Sequence, residues 1–378
     1  MKRLLHSIIC LGLLVSLSSC GGQVSPQSGG GDTIAFRYAR GLTVVEHDDY
    51  TYVELKNPWK ADAVLHRYVL VPRNASLPDG LPDGTVVRTP LSRSIVFTTV
   101  HCAMLQMLGK EASIAGIADL KYIKLPYVHQ QIAKGRIADV GDGLSPVVEK
   151  IIDIRPDALL LSPFENSGGY GRLEAIDIPI IECAEYMEAT PLGRAEWLRF
   201  YGLLFGCRKQ ADSLFAVVDS SYNSLKALAG SGAAAGKGKK VLVDKITGSV
   251  WYVPGGRSTI GQMLSDAGAD YPWADDSHNG SVALPFEVVL ERAGQSDIWL
   301  FRYSGKHDIT LRELLTEHHG YGQLQPVRTG ACYGCNVETS LFYEESPFRP
   351  DYLLTDFLNI IHPEIEGIPP LRYYHRVE

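Results

Sequence analysis

Through the middle of the chain, apolar residues recur at three- and four-residue spacing: Trp197, Phe200, Tyr201 and Leu204, then Leu214, Phe215, Val218, Tyr222 and Leu225. Arg199, Arg208, Lys209, Asp212 and Asp219 fall mostly between them, as on the wet side of an amphipathic helix. The pattern predicts one continuous helix over about 195–228, with Pro191, Gly193 and Arg194 leading into it. Segments of alternating β and α character flank it on both sides. The helix therefore reads either as a strut between two lobes or as a long helix packed on one domain.

Residues 33–92 carry a shorter period. Alternating runs such as Thr51 to Lys56, and the β-branched and aromatic run at 63–73, predict strands. Asp48-Asp49, Pro78-Asp79-Gly80 and Pro82-Asp83-Gly84 mark turns, so a small antiparallel β unit is expected. From Arg93 the grammar changes. Strands are expected at 94–99, from 113, at 158–162 and at 178–181, with helices at 100–108, 147–154 and 172–176. After a Gly/Ala-rich loop at 229–240 the alternation restarts. Strands are expected at 240–244, 249–253 and 297–301, and helices at 259–267, 285–293, 311–317 and 350–361. Alternation of this kind predicts mostly parallel sheets.

The 378 residues suffice for two or three domains. A composition of 45% hydrophobic and 21% charged residues is that of a globular protein. The net charge of −7, with no basic patch, argues against nucleic acid as a partner. At the N-terminus, Lys2 and Arg3 precede an apolar run at 8–17, which is short for a membrane span. Leu17-Ser18-Ser19-Cys20-Gly21 follows and resembles a bacterial lipobox. That resemblance implies cleavage before Cys20, lipidation of its thiol and anchoring to a membrane. A Gly/Ser-rich tether follows to residue 32. Of the remaining cysteines, Cys102, Cys183 and Cys207 read as small buried hydrophobes. Cys332 and Cys335 have C-x-x-C spacing without a second pair, which fits a local disulfide or two unlinked thiols better than redox chemistry.

Four segments, in order around the central helix, then resemble the substrate-binding proteins of bacterial ABC importers, in the long-helix class for siderophores, haem and cobalamin. They are Arg93 to His101 (RSIVFTTVH); Asp139-Val-Gly-Asp142 with Val148-Glu-Lys-Ile-Ile152 and Arg155-Pro-Asp-Ala-Leu159; Gly193-Arg-Ala-Glu-Trp197; and Phe286-Glu-Val-Val-Leu290 with Asp297-Ile-Trp-Leu300. The resemblance covers about 93–365. It implies an α/β fold of two Rossmann-like lobes joined by a single long helix, here with an added N-terminal β-rich segment, and little hinge motion. The expected division is a signal peptide at 1–20, tether 21–32, β-rich segment 33–92, N-terminal lobe 93–192, linking helix 193–229 and C-terminal lobe 230–378. It further implies capture of an iron-siderophore, haem or corrinoid ligand for a permease and its ATPase, by a lipid-anchored periplasmic monomer.

Loops after strands should face a cleft between the lobes. The candidates for ligand contact are Thr99, His101, Phe164, Asn166, Tyr170, Tyr186, Trp251, Tyr252, Arg257, Trp273, Arg302 and Tyr303, with Thr98, Pro163, Met187, His278, Asn279 and a 333–342 loop nearby. Aromatic side chains suit flat macrocycles or catecholates, and arginines suit anionic chelates. His101 reads as an axial ligand or hydrogen-bonding group, or as a capping or packing histidine. No dedicated metal site and no cofactor are expected. By the same resemblance, Glu287 would dock on the permease from the second lobe, with Glu165 or Glu174 as its counterpart in the first. No Gly-x-Ser-x-Gly, P-loop or His-Glu-x-x-His motif is present, so catalysis is not expected. The alternatives are an enzyme or chelatase-like protein on the same scaffold, or a surface lipoprotein serving an outer-membrane receptor.

Overall fold

The computed structural model describes residues 30–165, 169–230 and 238–378. The signal segment, Cys20, nearly all of the tether, Asn166 and most of the 229–240 loop lie outside them. No described helix is long and apolar enough to cross a membrane.

Strands β1 (Asp32–Ile34), β2 (Leu42–Glu46), β3 (Thr51–Lys56), β4 (Val64–Pro72) and β5 (Thr85–Thr89) form one sheet in that order. The expected β unit exists, but it is not wholly antiparallel: β5 runs parallel to β4 after a crossover. Nor does it stand apart. Val44, Val53, Leu55 and Tyr68 share one core with residues of the first lobe.

The first lobe holds a six-stranded sheet from β6 (Ser94–Val96), β7 (Ile114–Ala118), β8 (Ala138–Asp142), β9 (Ser145–Pro146), β10 (Ala158–Leu161) and β11 (Ile180–Glu182), ordered β11-β10-β6-β7-β8-β9. Its helices are α1 (Thr99–Met107), α2 (Pro126–Ala133) and α3 (Val148–Ile154). Strands β6 and β10 are buried on both faces, and β10 reads as an unbroken apolar run. The chain leaves β6 for β7 on one side while β10 lies on the other. This reversal opens a crevice at the carboxyl ends of β6 and β10.

Asp157, at the start of β10, joins the lobe to the β-rich unit. One of its carboxylate oxygens accepts from Ser92 N, Ser92 Oγ and Arg93 N at 2.7, 2.9 and 2.9 Å and pairs with Arg73 at 2.7 Å. Burial alone would raise its pKa, but the Ser92 N–H and the Arg73 guanidinium hold it below the usual value. A carboxyl depressed in the folded state stabilises the protein above its unfolded pKa, and that share is lost as pH falls through the folded pKa. Asp157→Asn is expected to cost about 1–2 kcal/mol at neutral pH. It should also flatten the fall in stability below roughly pH 4, as read by urea denaturation from pH 7 to 3. An unchanged acid limb would refute the assignment.

The central helix departs from expectation. It is three pieces: α4 (Pro191–Glu196), α5 (Leu198–Leu204) and α6 (Arg208–Gly230). Thr190 caps α4 by accepting from Gly193 N. After α5, Gly206 adopts φ +61°, with Cys207 N bonded to Gly202 O and Gly206 N to Leu203 O, a glycine C-terminal stop. The chain then turns back, and α5 packs on α6 so closely that a Cβ at Gly202 would lie 2.5 Å from that of Ala211. Apolar periodicity continues through the break because both pieces bury that face. The strut proper is α6, whose 23 residues span about 34 Å. Ala211 sits in the first core, whereas Phe215, Val218 and Tyr222 sit in the second.

The second lobe is built on β12 (Val241–Val243), β16 (Ile298–Tyr303), β17 (Cys332–Asn336) and β18 (Tyr374–Arg376), in that sheet order. A second, antiparallel sheet holds β13 (Ile246–Thr247), β14 (Val250–Pro254) and β15 (Ser281–Leu284). Helices α7 (Thr259–Asp266), α8 (Phe286–Ala293), α9 (Leu311–Glu317), α10 (Gln325–Thr329), α11 (Phe342–Glu345) and α12 (Pro350–Ile361) complete it. The expected cleft loop at 333–342 is in part strand β17. Gly334 and Asn336 are weak strand formers, and the segment's place between β16 and β18 decides the outcome. Cys332 and Cys335 are buried, free thiols. Three residues apart on one strand, they point to opposite faces, which rules out the local disulfide.

Candidate functional site

Three adjacent parallel strands of the first lobe deliver their following residues to one place. Thr98 and His101 come from β6, Ser162 to Phe164 from β10, and Glu185 and Tyr186 from β11. With Val100 and Arg194 they line a cavity of about 360 Å³. Val100 and Arg194 also line an adjoining space of about 150 Å³, closed from the other side by Ile260 and Met263 of α7, Arg302 and Tyr343. The cleft therefore lies between the lobes, with α4 along its base.

The floor is a buried polar cluster. Thr98 caps α1, and its Oγ1 lies 2.6 Å from His101 Nδ1. His101 Nε2 is 3.2 Å from Glu185 Oε1, and Tyr201 donates to Glu185 Oε2 at 2.8 Å. The Cys183 Sγ joins these atoms. Burial would lower the His101 pKa, but the Cys183 and Glu185 charges outweigh it and push the imidazole up to about 10. Burial likewise pulls Glu185 up, and the facing imidazolium leaves it below its usual value. Arg194 stands beside this pair; burial lowers its pKa, with Glu185 in partial opposition. Its Nε is buried without a hydrogen-bond partner.

The lobes also touch directly. Thr99 Oγ1 donates to Glu344 Oε1 across the cleft at 2.9 Å, and Lys124 pairs with Glu338 at 3.3 Å. Phe348, between α11 and α12, is fully buried in the first-lobe core and meets Tyr201 edge-on at 6.0 Å.

The sequence candidates divide accordingly. His101, Phe164 and Tyr186 line the floor cavity, and the Tyr186 hydroxyl donates to Pro163 O. Tyr170 and Phe164 line a neighbouring cavity of about 470 Å³. Arg302 faces the cleft and grips Asp244 with two bonds, at 2.9 and 2.6 Å. Thr99 reaches the cleft, but its hydroxyl serves as an inter-lobe contact.

Five candidates from the second lobe lie elsewhere. Trp251 and Tyr252 are inside strand β14, not after it. Alternation sends Trp251 into the core, where it donates to Val243 O, and Tyr252 outward to solvent. Tyr303 follows Arg302 on β16 and so points the opposite way, into the core, where its hydroxyl accepts from Ile309 N. Trp273 is buried against Tyr271 and Arg292. Arg257 is exposed in the turn before α7, and His278 is exposed and bonded to Asp276. Arg194, Cys183, Glu185 and Tyr201 are not among the sequence candidates for ligand contact. Glu185 stands next to Tyr186, and Arg194 belongs to the quoted Gly193-Arg194-Ala195 segment, so position after a strand and at a helix start was the available signal.

A two-lobed α/β body with a single cross-lobe helix and a cleft at the strand ends narrows the possible relatives. The sequence model of the periplasmic binding protein family matches residues 95–338. The chain belongs to that family. A lipoprotein of Methanocaldococcus jannaschii is 25% identical, the alignment covering 96% of this chain and 94% of the relative. Among solved structures, a periplasmic haem binding protein from Pseudomonas aeruginosa superposes with a TM-score of 0.60 at 14% identity, covering 76% of this chain and 98% of that one. The triscatecholate siderophore binding protein of Bacillus subtilis gives 0.54 at 15%, covering 74% and 96%. At such identities the family's architecture is what the structures share with this chain.

Proposed function

We propose that this protein is the binding component of an ABC importer, taking a metal chelate of the siderophore, haem or corrinoid kind into the inter-lobe cleft and presenting it to a permease. The observation that carries the reading is the cleft itself: it opens at the strand ends of one lobe, is closed by the other, and has at its base a half-buried arginine whose buried Nε is free. Membership of the binding-protein family and the haem and siderophore proteins of like fold support it. A signal ending at Cys20 and a short tether would hold the body at a membrane of the cell envelope. Glu287, exposed in the first turn of α8, is the second-lobe docking carboxylate in this reading. In the first lobe Glu174 is exposed but accepts from Tyr170 N at 2.7 Å, and Glu165 is exposed.

The test uses the full chain in mild detergent, dialysed against a ferric catecholate, haem or cobalamin. One of the three is expected to bind at one per chain, followed by its own absorbance, because no tryptophan lines the cleft cavities. Glu287→Ala should keep that affinity while lowering uptake in cells carrying the partner permease. Failure with all three chelates would remove the ligand class, and loss of affinity in Glu287→Ala would remove the docking role.

A further inference from the structure

His101, Cys183 and Glu185 bring an imidazole, a thiol and a carboxylate together. Their ligand atoms all lie within 4.8 Å of one another, and all three residues are buried. His101 Nε2 and Glu185 Oε1 are 3.2 Å apart, against roughly 3.3 Å for the edge of a tetrahedron with metal–ligand bonds of 2.0–2.1 Å. The surrounding groups are placed as around a ligating histidine. An incoming metal ion would displace the Nε2 proton of His101, and an Nδ1 proton donated to Thr98 Oγ1 would then aim the Nε2 lone pair into the cluster. Tyr201 holds the far oxygen of Glu185. His101 and Glu185 line the floor cavity, so the cluster is reached from the cleft. An ion pair of His101 with Glu185 would account for those two residues but has no need of a thiol. The Cys183 Sγ otherwise makes a 3.5 Å contact with Ile181 O.

We propose that His101 Nε2, Cys183 Sγ and the Glu185 carboxylate bind one divalent transition-metal ion of borderline softness, such as zinc or cobalt(II), with a fourth position open to the cleft. This rests on the cleft being the cargo site, and it narrows the cargo to metal ions or complexes that arrive with coordination positions free. Thiolate and carboxylate together balance the two positive charges of the ion. Arg194 adds a positive charge at the rim, with its Nε free, so the fourth ligand is an anion such as hydroxide or a small carboxylate.

The full chain in mild detergent, first stripped with a chelator, is titrated with cobalt(II) alone. One equivalent should bind, with the visible bands of a four-coordinate ion and a thiolate-to-metal charge-transfer band. X-ray absorption of the zinc form of the unmodified chain should show one sulfur at about 2.3 Å. Cys183→Ser should abolish the charge-transfer band and weaken binding at least ~100-fold. Cys332→Ser, in the second-lobe sheet, should change neither. Absence of stoichiometric binding, or a metal shell without sulfur, overturns the proposal; the latter measurement needs no variant to fold. Chelate binding without cobalt binding removes this proposal alone. Cobalt bound as described, with cellular uptake independent of the chain, leaves the metal site standing and removes the importer reading.

Discussion

Glu196→Ala is expected to cost about 3–5 kcal/mol of folding stability, the largest effect of any single side-chain truncation considered. Glu196 is 1% exposed and closes α4. Its two oxygens accept from the backbone N–H groups of Arg37, Tyr38 and Ala39 at 2.9, 2.7 and 2.9 Å, and Arg199 adds a bond at 3.3 Å. Truncation strands three backbone donors in a space that water enters poorly, and each unmet donor costs about 1–3 kcal/mol. Arg199 keeps Asp212 as a partner at 2.9 Å, so the loss falls mainly on the 37–39 segment. Glu196→Gln keeps one acceptor oxygen and should lose about half as much. Denaturant midpoints at constant m-value measure both. A loss under about 1 kcal/mol for the alanine variant would show that the segment is held by other contacts.

The second large effect concerns cargo. Arg194→Met keeps much of the apolar stem while removing a half-buried charge that both cleft cavities share. Hydrogen bonds to charged groups are worth about 1.5–3 kcal/mol, so affinity for an anionic chelate should fall about ten- to hundredfold. Haem, with two propionates, is the suitable probe, titrated by its absorbance. Arg194→Lys should recover part of the loss, since it restores the charge without the planar fork. Equal haem affinity in the wild type and Arg194→Met would remove Arg194 from the site.

Much of the fold was readable because its signals are local. Helices at 311–317 and 350–361 carry their own start signals: a Thr310–Glu313 capping box, and Pro350 at the first turn. The parallel strands announce themselves as apolar runs. Where the pattern misled, a longer-range fact decided. Periodicity ran through Gly206 because α5 and α6 bury the same side, and only the glycine betrays the turn. Strand β17 exists because two neighbours pair with it. The cleft was harder to read. A first-lobe residue just past a buried strand was placed well, as with His101 and Tyr186, because the topology forces it to the crevice. In the second lobe a one-residue error in strand ends inverts which side chain faces the cleft, as Arg302 and Tyr303 show. Cys183 looked like filler because a thiol's neighbours, 82 residues away in His101, leave no mark on its own segment.

Phe348 bears on how the lobes part. The ring belongs to the second lobe but is rooted in the core of the first, so parting the lobes must draw it into water. Exposing such a side chain costs about 1.5–3 kcal/mol. On that figure alone the parted form is held to roughly 0.6 to 8 per cent of molecules at rest. The protein would then spend most of its time shut, and if it carries the proposed cargo, discharge would become work done by the membrane complex that receives it.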